Sequence, residues 1–400
     1  MNKTKSDSII EESEKVFANT YKRAQIVIDK GAGATLWDKE GKSYTDFMAG
    51  IAVCGLGHCH PAVVNAVKAQ AEKLFHISSL YYIEPQTKLA SWLVKNSFAD
   101  RVFFSNSGTE ANEAAIKLAR KYFWDKGEKN RFKIITALKS FHGRTYGGLS
   151  ATGQDKIKKG FHPILQGFEN VPFNDIKAIE EKTDKTVCAI MLEPVLGEGG
   201  IILPEPGYLK EVRKICDRTG ALLIFDEIQT GIGRTGKLFG YMNFNVKPDI
   251  MTLAKALGNG LPIGAMLAKE DIAKAFVPGS HGSTYGGNPV ACAGAFAVAE
   301  TIEQEKILDN CITQGEYLKK RLNGLQKKYS FIKDVRGIGL MIGAELNIDG
   351  SDIVKKALEK GFLINCIQTN ILRFIPPLII KKENINALIN ALDDIFSNFA

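Results

Sequence analysis

The pattern that most limits the possible folds lies between about residues 60 and 290, where short apolar runs alternate with stretches of helical spacing. In "HPAVVNAVKAQAEKLF", Val63, Val67, Ala71 and Leu74 share one helical face. The apolar runs are "RVFFS", "FKIITAL", "VCAIML", "ALLIFDE", "DIMTLAK" and "PIGAMLAK". Continuous apolar strands separated by helices are typical of a mostly parallel sheet covered on both faces. The sequence therefore predicts an α/β fold.

Polar residues follow several of these runs at the point where each predicted strand ends. Ser107 follows "VFFS", Glu193 follows "AIML", Asp226 follows "LLIF" and Lys255 follows "IMTLA". Ligands of such sheets bind at the carboxyl ends of the strands. We expect these side chains to meet at one site.

The length of 400 residues exceeds what one hydrophobic core usually serves, so we expect more than one domain. Residues 56–290 form the predicted large domain. After residue 290 a long helix leads into lysine-rich helical sequence and further strands, which indicates a smaller α+β domain over 291–400. Residues 1–55 are expected to join that small domain.

Several classes of function are disfavoured. The net charge of +8 is spread along the chain and forms no basic patch with interleaved aromatics, so nucleic-acid binding is not expected. No run approaches the ~18 apolar residues of a membrane span, and no signal peptide is recognisable. The seven cysteines are scattered without CxxC spacing, which favours reduced thiols and a cytoplasmic protein.

Two local motifs resemble sites of other kinds. "GHCHP" offers His58, Cys59 and His60, but adjacent residues of an extended turn point apart, so no metal site is expected. Gly231 to Lys237 spells GxxxxGK, but Leu238 stands where a P-loop needs a hydroxyl that binds Mg²⁺. Nucleotide hydrolysis is therefore disfavoured.

Three features together point to one cofactor. Lys255 lies among small and apolar residues, Asp226 ends an apolar run, and "SNSGTEANEAA" begins a helix with free amide groups suited to phosphate. Taken singly, each has an ordinary explanation: a lysine whose head reaches water, a strand-end aspartate, or a plain helix cap. Pyridoxal 5′-phosphate needs all three, because a lysine forms its Schiff base and a carboxylate keeps its pyridine nitrogen protonated.

Six motifs then carry a family resemblance: "SGTEANE", "FHGRT", "EPVLGEGG", "FDEIQTGIGRTG", "LAKALGNGLPIG" and "GSTYGGNP". In this order they resemble the class III (ornithine-type) pyridoxal-phosphate aminotransferases of fold type I. The resemblance runs from about residue 20 to the C-terminus. "GIAV" before "GHCHP", together with "LRFIPPL", is most similar to the bacterial acetylornithine branch of that family.

The resemblance implies roles for individual residues. It implies that Lys255, Asp226 and Glu198 are catalytic. It implies cofactor contacts from Gly108, Thr109, Phe141, Asp226, Glu227, Ile228, Gln229, Lys255 and Thr284. It implies substrate contacts from Arg144, Ser283 and Arg373. Because Thr284 would reach the phosphate of a neighbouring subunit, the resemblance also implies a homodimer with shared sites.

The implied reaction moves the ω-amino group of N2-acetyl-L-ornithine to 2-oxoglutarate. Two arginines suit a substrate with two carboxylates, and Glu198 would neutralise Arg373 when the other substrate enters. Thr35 and Ile51 stand where ornithine enzymes commonly have tyrosines, which favours an acylated donor. Succinylornithine, N-succinyl-diaminopimelate, ornithine and 4-aminobutyrate remain alternative donors, and a non-catalytic cofactor-binding or regulatory protein remains an alternative of another class.

Overall fold

A computed structural model describes residues 5–399 and contains three β-sheets flanked by helices. The strands are β1 Ile28–Ala32, β2 Thr35–Asp38, β3 Ser43–Asp46, β4 Arg101–Ser105, β5 Lys133–Ala137, β6 Phe168–Val171, β7 Val187–Leu192, β8 Leu222–Asp226, β9 Ile250–Leu253, β10 Gly264–Ala268, β11 Ile332–Ile338, β12 Met341–Leu346, β13 Phe362–Leu363, β14 Asn365–Ile367 and β15 Ile371–Phe374. The helices are Lys5–Val16, Pro61–Ala71, Glu84–Lys95, Gly108–Asp125, Tyr146–Ala151, Asp155–Lys158, Ile176–Lys182, Tyr208–Thr219, Glu270–Ala273, Pro289–Gln304, Ile307–Lys328, Ser351–Glu359 and Lys382–Phe396, with 3-10 turns at Gly240–Asn243 and Lys255–Leu257.

The largest sheet has seven strands in the order β4-β10-β9-β8-β7-β5-β6. Its strands run in one direction except β10, which is antiparallel to both β4 and β9. The prediction of a mostly parallel sheet is therefore confirmed. The carboxyl ends of β4, β7, β8 and β9 lie at one edge, which brings the residues that follow them together.

Strand β8 shows why the apolar runs are continuous. Leu223 and Phe225 pack in the cluster that contains the helix Tyr208–Thr219, whereas Leu222 and Ile224 pack in the cluster that contains Gly108–Asp125. Successive side chains of a strand point to opposite faces, so a sheet covered on both sides needs apolar residues at every position.

The N-terminal strands pair with the C-terminal part of the chain. Strands β1, β2 and β3 form an antiparallel ladder, and β13 adds to β3 in parallel. A third, antiparallel sheet has the order β11-β12-β15-β14. The helix Pro289–Gln304 packs against Pro61–Ala71 and Glu84–Lys95, so it bridges the predicted boundary at residue 290.

The GxxxxGK segment joins the central sheet to the third sheet. Arg234 is 1% exposed, and its Nη1 donates to the carbonyl oxygens of Leu340 (2.9 Å) and Pro376 (2.6 Å). Leu340 precedes β12 and Pro376 follows β15. The arginine therefore ties the loop to the ends of two strands of the third sheet.

Within residues 5–399, no helix is both long and apolar enough to cross a bilayer.

Candidate active site

A cavity of about 450 Å³ opens at the carboxyl edge of the seven-stranded sheet. It joins a wider cavity of about 860 Å³, because both are lined by Phe141, Arg144, Glu198 and Lys255. The inner cavity is also lined by Asn106, Gly108, Thr109, His142, Glu193, Asp226, Ile228 and Gln229. Most of the site residues expected from the sequence therefore meet in one place.

Lys255 lies just after β9 and is separated from it by Ala254 alone. Its backbone is left-handed (φ 47°). Burial lowers the pKa of its amine, and the charge of Arg373 lowers it further, against the opposing effects of Glu198 and Asp226. An amine with a lowered pKa is more often neutral, which is the form that attacks a carbonyl or accepts a proton.

Asp226 is the last residue of β8 and is 3% exposed. Its Oδ2 accepts a hydrogen bond from Asn112 Nδ2 (2.7 Å) and faces His142 Nδ1 (2.8 Å), and its Oδ1 accepts from the amide of Ile228 (3.0 Å). Thr252 in turn donates to Asn112 Oδ1 (2.7 Å). These partners fix the orientation of the carboxylate at the floor of the cavity.

The helix Gly108–Asp125 begins at the cavity wall. Ser107 caps it by accepting from the amide of Glu110 (3.3 Å), so the amides of Gly108 and Thr109 in the first turn have no acceptor within the helix. A Cβ at Gly108 would lie 2.7 Å from Ile228 Cδ1, so any larger residue here would have to displace Ile228. The helix start is therefore suited to an anion.

The residues after Asp226 form a turn whose side chains face different sides. Ile228 and Gln229 line the cavity, and the buried Gln229 Oε1 has no hydrogen-bond partner among the described residues. Glu227 instead faces away, where it accepts from the amides of Gly240 and Tyr241. Glu227 is therefore not part of the cavity lining, and its expected cofactor contact stays a prediction.

Arg373 on β15 is 1% exposed and pairs with Glu198, whose side chain lines both cavities. Burial alone would raise the pKa of Glu198, but the charges of Arg373 and Lys255 outweigh it and hold the pKa below its ordinary value. A buried guanidinium needs such a partner or another anion in its place. Arg144 is exposed at the mouth, with its guanidinium carbon 5.8 Å from the centre of the Phe141 ring.

With this geometry established, comparison with known proteins identifies the family. A family model described as aminotransferase class-III matches residues 16–396. The chain belongs to the class-III aminotransferase family.

This aminotransferase is 56% identical over 385 residues to an acetylornithine aminotransferase of Caldanaerobacter subterraneus subsp. tengcongensis, covering 96% of this chain and 98% of the relative. It is 54% identical to an acetylornithine aminotransferase of Methanocaldococcus jannaschii, and the match covers 97% of this chain and 98% of the relative. A crystal structure of the ornithine aminotransferase from Toxoplasma gondii matches with a TM-score of 0.96 and 35% identity, covering 100% and 96%. A second structure of the Toxoplasma enzyme, with a TM-score of 0.94 and 36% identity over 98% and 94%, is described with pyridoxal phosphate at its active site. The expected fold type, enzyme class and cofactor of the family are confirmed.

Sequence reasoning missed two partners of Asp226 in the aminotransferase. Asn112 lies on the first turns of the helix Gly108–Asp125, and His142 lies within the motif "FHGRT". A buried carboxylate at the end of a strand must find donors, and polar residues inside the two motifs "SGTEANE" and "FHGRT" were the available signal. No local spacing indicates that they converge.

Ser283 and Thr284 lie on the segment before the helix Pro289–Gln304. Ser283 Oγ accepts from Asn106 Nδ2 (3.2 Å) and from the amide of Gly286 (3.0 Å), so it lies beside a cavity-lining residue. Thr284 is exposed and does not line the cavity of its own chain. Its place relative to a phosphate stays a prediction.

The two histidines of "GHCHP" point to different partners. His58 Nε2 lies 2.7 Å from Asp46 Oδ2, whereas His60 Nε2 lies 3.6 Å from Glu305 Oε1. Over the described range 5–399, no group of three or more histidine, cysteine, aspartate or glutamate residues is arranged to hold a metal ion.

Proposed function

We propose that this aminotransferase moves the ω-amino group of N2-acetyl-L-ornithine to 2-oxoglutarate, giving N-acetylglutamate 5-semialdehyde and glutamate. The observation that carries the proposal is the pair formed by the buried Arg373 and the cavity-lining Glu198. Acetylornithine aminotransferases at 54% to 56% identity support the same choice of donor.

The cavity fits pyridoxal 5′-phosphate by the chemistry of its walls. Lys255 would supply the amine that forms the Schiff base, and Asp226 would supply the negative charge beside the ring nitrogen. The amides of Gly108 and Thr109 would bind the phosphate, and Phe141 would offer an aromatic face to the ring. The unpartnered Gln229 Oε1 is available to the hydroxyl group of the ring. When bound, the cofactor accepts the amino group and stabilises the negative charge left on the substrate carbon.

The chain's own side chains then perform the remaining tasks. Lys255 Nζ, as a neutral amine, would remove the proton from the substrate carbon that carries the amino group. Asp226, held by Asn112 and His142, keeps a negative charge fixed at the cavity floor. Ile228 and Phe141, which line the inner cavity, would exclude water from a bound cofactor ring.

Substrate alternation follows from the charges of the two arginines. The two carboxylates of 2-oxoglutarate match Arg144 and Arg373, and Glu198 must then swing away from Arg373. N-acetylornithine brings one carboxylate, which Arg144 binds, so Glu198 returns and neutralises Arg373. Acetylation removes the charge of the α-amine, which suits a wall formed here by Ile51.

Ile51 reaches this wall through an unusual turn. Residues 49–52 have left-handed backbones (φ 49°, 63°, 66° and 60°), a conformation that costs ~1–2 kcal/mol for a residue other than glycine. Asp46 Oδ1 offsets the strain by accepting from the amides of Met48 (2.7 Å) and Ala49 (2.8 Å). The turn places Gly50 and Ile51 in the wider cavity, whereas Thr35 pairs within the β1-β2-β3 sheet and does not line it.

The proposal includes a homodimer in which Thr284 of each subunit completes its partner's phosphate site. Thr284 is exposed in the single chain, as this role requires. Large apolar side chains are also exposed on the adjacent Tyr285 (62%) and on the segment 75–82, which contacts residues 285–288: Phe75 67%, Leu80 86%, Tyr81 62% and Tyr82 105%. Exposed apolar groups of this size are typical of surfaces that another chain covers. We also place the enzyme in the cytoplasm, since all seven cysteines are free thiols.

The test is a panel of amino donors assayed with 2-oxoglutarate. We expect kcat/KM for N-acetylornithine to exceed that for ornithine by roughly tenfold or more, which is ~1.4 kcal/mol at the transition state. Succinylornithine, N-succinyl-diaminopimelate and 4-aminobutyrate complete the panel, and Lys255→Ala supplies the inactive control. Ornithine as the better donor would overturn the choice of substrate.

A further inference from the structure

Glu193 is a buried acid that the roles above leave unused. It directly follows β7, whose six residues are all buried, and it is itself 5% exposed while lining the inner cavity. An acid here is costly unless it is neutralised or receives hydrogen bonds. A buried acid at this position is therefore a candidate for a specific role in the site.

Both carboxylate oxygens accept backbone hydrogen bonds from different segments. Oε1 accepts from the amide of Phe141 (2.9 Å), and Oε2 accepts from the amide of Gly197 (2.9 Å). Phe141 carries the proposed ring-stacking face, and Gly197 immediately precedes Glu198. One side chain thus holds two walls of the cavity at fixed positions.

The backbone at Gly197 packs closely against a neighbouring side chain, so the Glu198 turn has little room to shift. A Cβ at Gly197 would lie 2.7 Å from Gln229 Cδ, so the backbone packs directly on that side chain. Gln229 Nε2 in turn lies 3.4 Å from Glu198 Oε1. A shift of Gly197 therefore moves both Gln229 and the carboxylate that pairs with Arg373.

Glu193 also contributes charge. Its pKa is raised to about 7, mainly by burial, with the charge of His142 opposing the rise and that of Asp226 adding to it. Its ionised form raises the pKa of Lys255, as do Glu198 and Asp226, whereas Arg373 lowers it. Loss of the Glu193 charge should therefore make Lys255 easier to deprotonate.

We propose that Glu193 is a positioning residue that joins the Phe141 wall to the Glu198 turn and places a negative charge near Lys255. The proposal rests on the cofactor site described above but not on the identity of the amino donor. A Glu193 carboxylate fixes both the aromatic wall and the Arg373–Glu198 pair through two hydrogen bonds.

The first test titrates the visible absorbance of the bound cofactor against pH in the holoenzyme. In Glu193→Gln, which keeps the size but removes the charge, the midpoint should fall by about one pH unit. Glu193→Asp should restore the midpoint while kcat stays several-fold reduced, because the shorter side chain cannot reach both amides. Glu181→Gln, on the exposed face of the helix Ile176–Lys182, should match the parent enzyme. An unchanged midpoint in Glu193→Gln overturns the proposal.

The second test is hydrogen exchange, which needs no amino donor. Amides around 139–144 and 195–200 should exchange about tenfold faster in Glu193→Gln, together, while those of β5 do not change. Faster exchange in only one segment overturns the linkage. If Glu193→Gln does not fold, the same measurement on the parent protein without cofactor tests the proposal. Rapid exchange of the Phe141 or Gly197 amide there would overturn it. If no donor in the panel is active while the midpoint shifts as expected, the proposed substrate is rejected but the positioning role of Glu193 is retained.

Discussion

At the residue scale, Asp226 has the clearest experimental signature. Asp226→Asn keeps the shape of the side chain but removes its charge, and its amide must face donors from Asn112 and His142. We expect the variant to bind cofactor with kcat reduced by roughly a hundredfold, since fixed charges of this kind contribute about two to three orders of magnitude. Absorbance spectra and steady-state kinetics measure both effects. Asp271→Asn, at a 90% exposed side chain, is the matched control. A near-normal kcat in Asp226→Asn would contradict the role.

Glu198 should discriminate between the two half-reactions. In Glu198→Ala, the buried Arg373 has no partner when N-acetylornithine enters, whereas a carboxylate of 2-oxoglutarate still neutralises it. We expect the half-reaction with N-acetylornithine to slow about tenfold more than the half-reaction with 2-oxoglutarate. Rapid-mixing absorbance resolves the two halves. Glu205→Ala, at an exposed position on the same chain segment, should leave both unchanged. Equal slowing of both halves would remove the switch from the mechanism.

At the scale of elements, the contact between the helix start and the end of β8 limits what can stand at Gly108. In Gly108→Ala the new Cβ must push Ile228 aside, since the ideal distance of 2.7 Å is too short. We expect the dissociation constant of the cofactor to rise about tenfold, because both residues shape its site. Equilibrium dialysis measures this change.

A second helical glycine provides the control. Gly324, within Ile307–Lys328, has open space where a Cβ would lie, so Gly324→Ala should stabilise the protein by ~0.5–1 kcal/mol without affecting cofactor binding. Gly108→Ala combined with Ile228→Val should recover part of the lost affinity. If Gly108→Ala binds cofactor normally, close approach at this point has no role in the site.

The loop beyond β8 makes stability depend on pH through Glu227. Burial raises the pKa of Glu227 to about 7, and the backbone amides of Tyr241 and Gly240 only partly offset this. The folded state therefore holds the proton more tightly than the unfolded state. The contribution of Glu227 to stability is full below about pH 4.5 and is lost as the pH rises towards 7.

The variant Glu227→Gln tests this linkage. The slope of Tm against pH between 5 and 7 should become less negative in the variant, whatever the absolute loss of stability from its altered hydrogen bonds. Differential scanning calorimetry across that range gives the slope. Glu181→Gln should keep the parent slope, and a parent-like slope in Glu227→Gln would show that the buried acid titrates normally.

At the scale of the whole molecule, a shared site predicts complementation between two inactive subunits. A mixed dimer of Lys255→Ala and Thr284→Val subunits has one site with both the lysine and the partner's threonine intact. Random mixing should restore roughly a quarter of the parent activity, because half of the dimers are mixed and each has one complete site. Sedimentation at assay concentration should show a dimer. No recovery on mixing, or a fully active monomer, would contradict shared sites.

Much of the fold follows from local sequence patterns. Strands β7, β8 and β9 are mostly apolar over four to six residues, with Asp226 at the end of β8 and Thr252 within β9 as the exceptions, and such runs between helical stretches favour strands covered on both faces. The residues at their ends, from Asp226 to Lys255, are predicted to share one edge because parallel strands end together. These inferences hold because periodicity and burial act over a few residues.

Only the tertiary structure decided which distant side chains meet. Arg373 pairs with Glu198 across 175 residues, and Asn112 reaches Asp226 across 114. The direction of Glu227 and the left-handed turn at 49–52 were likewise not apparent from the sequence. Local patterns determine which face of an element is buried, but contacts between elements depend on how the whole chain packs. Lys255 illustrates both levels. Its place at the end of a strand was predicted from the sequence, whereas its lowered pKa arises from burial and from charged groups that only folding brings near.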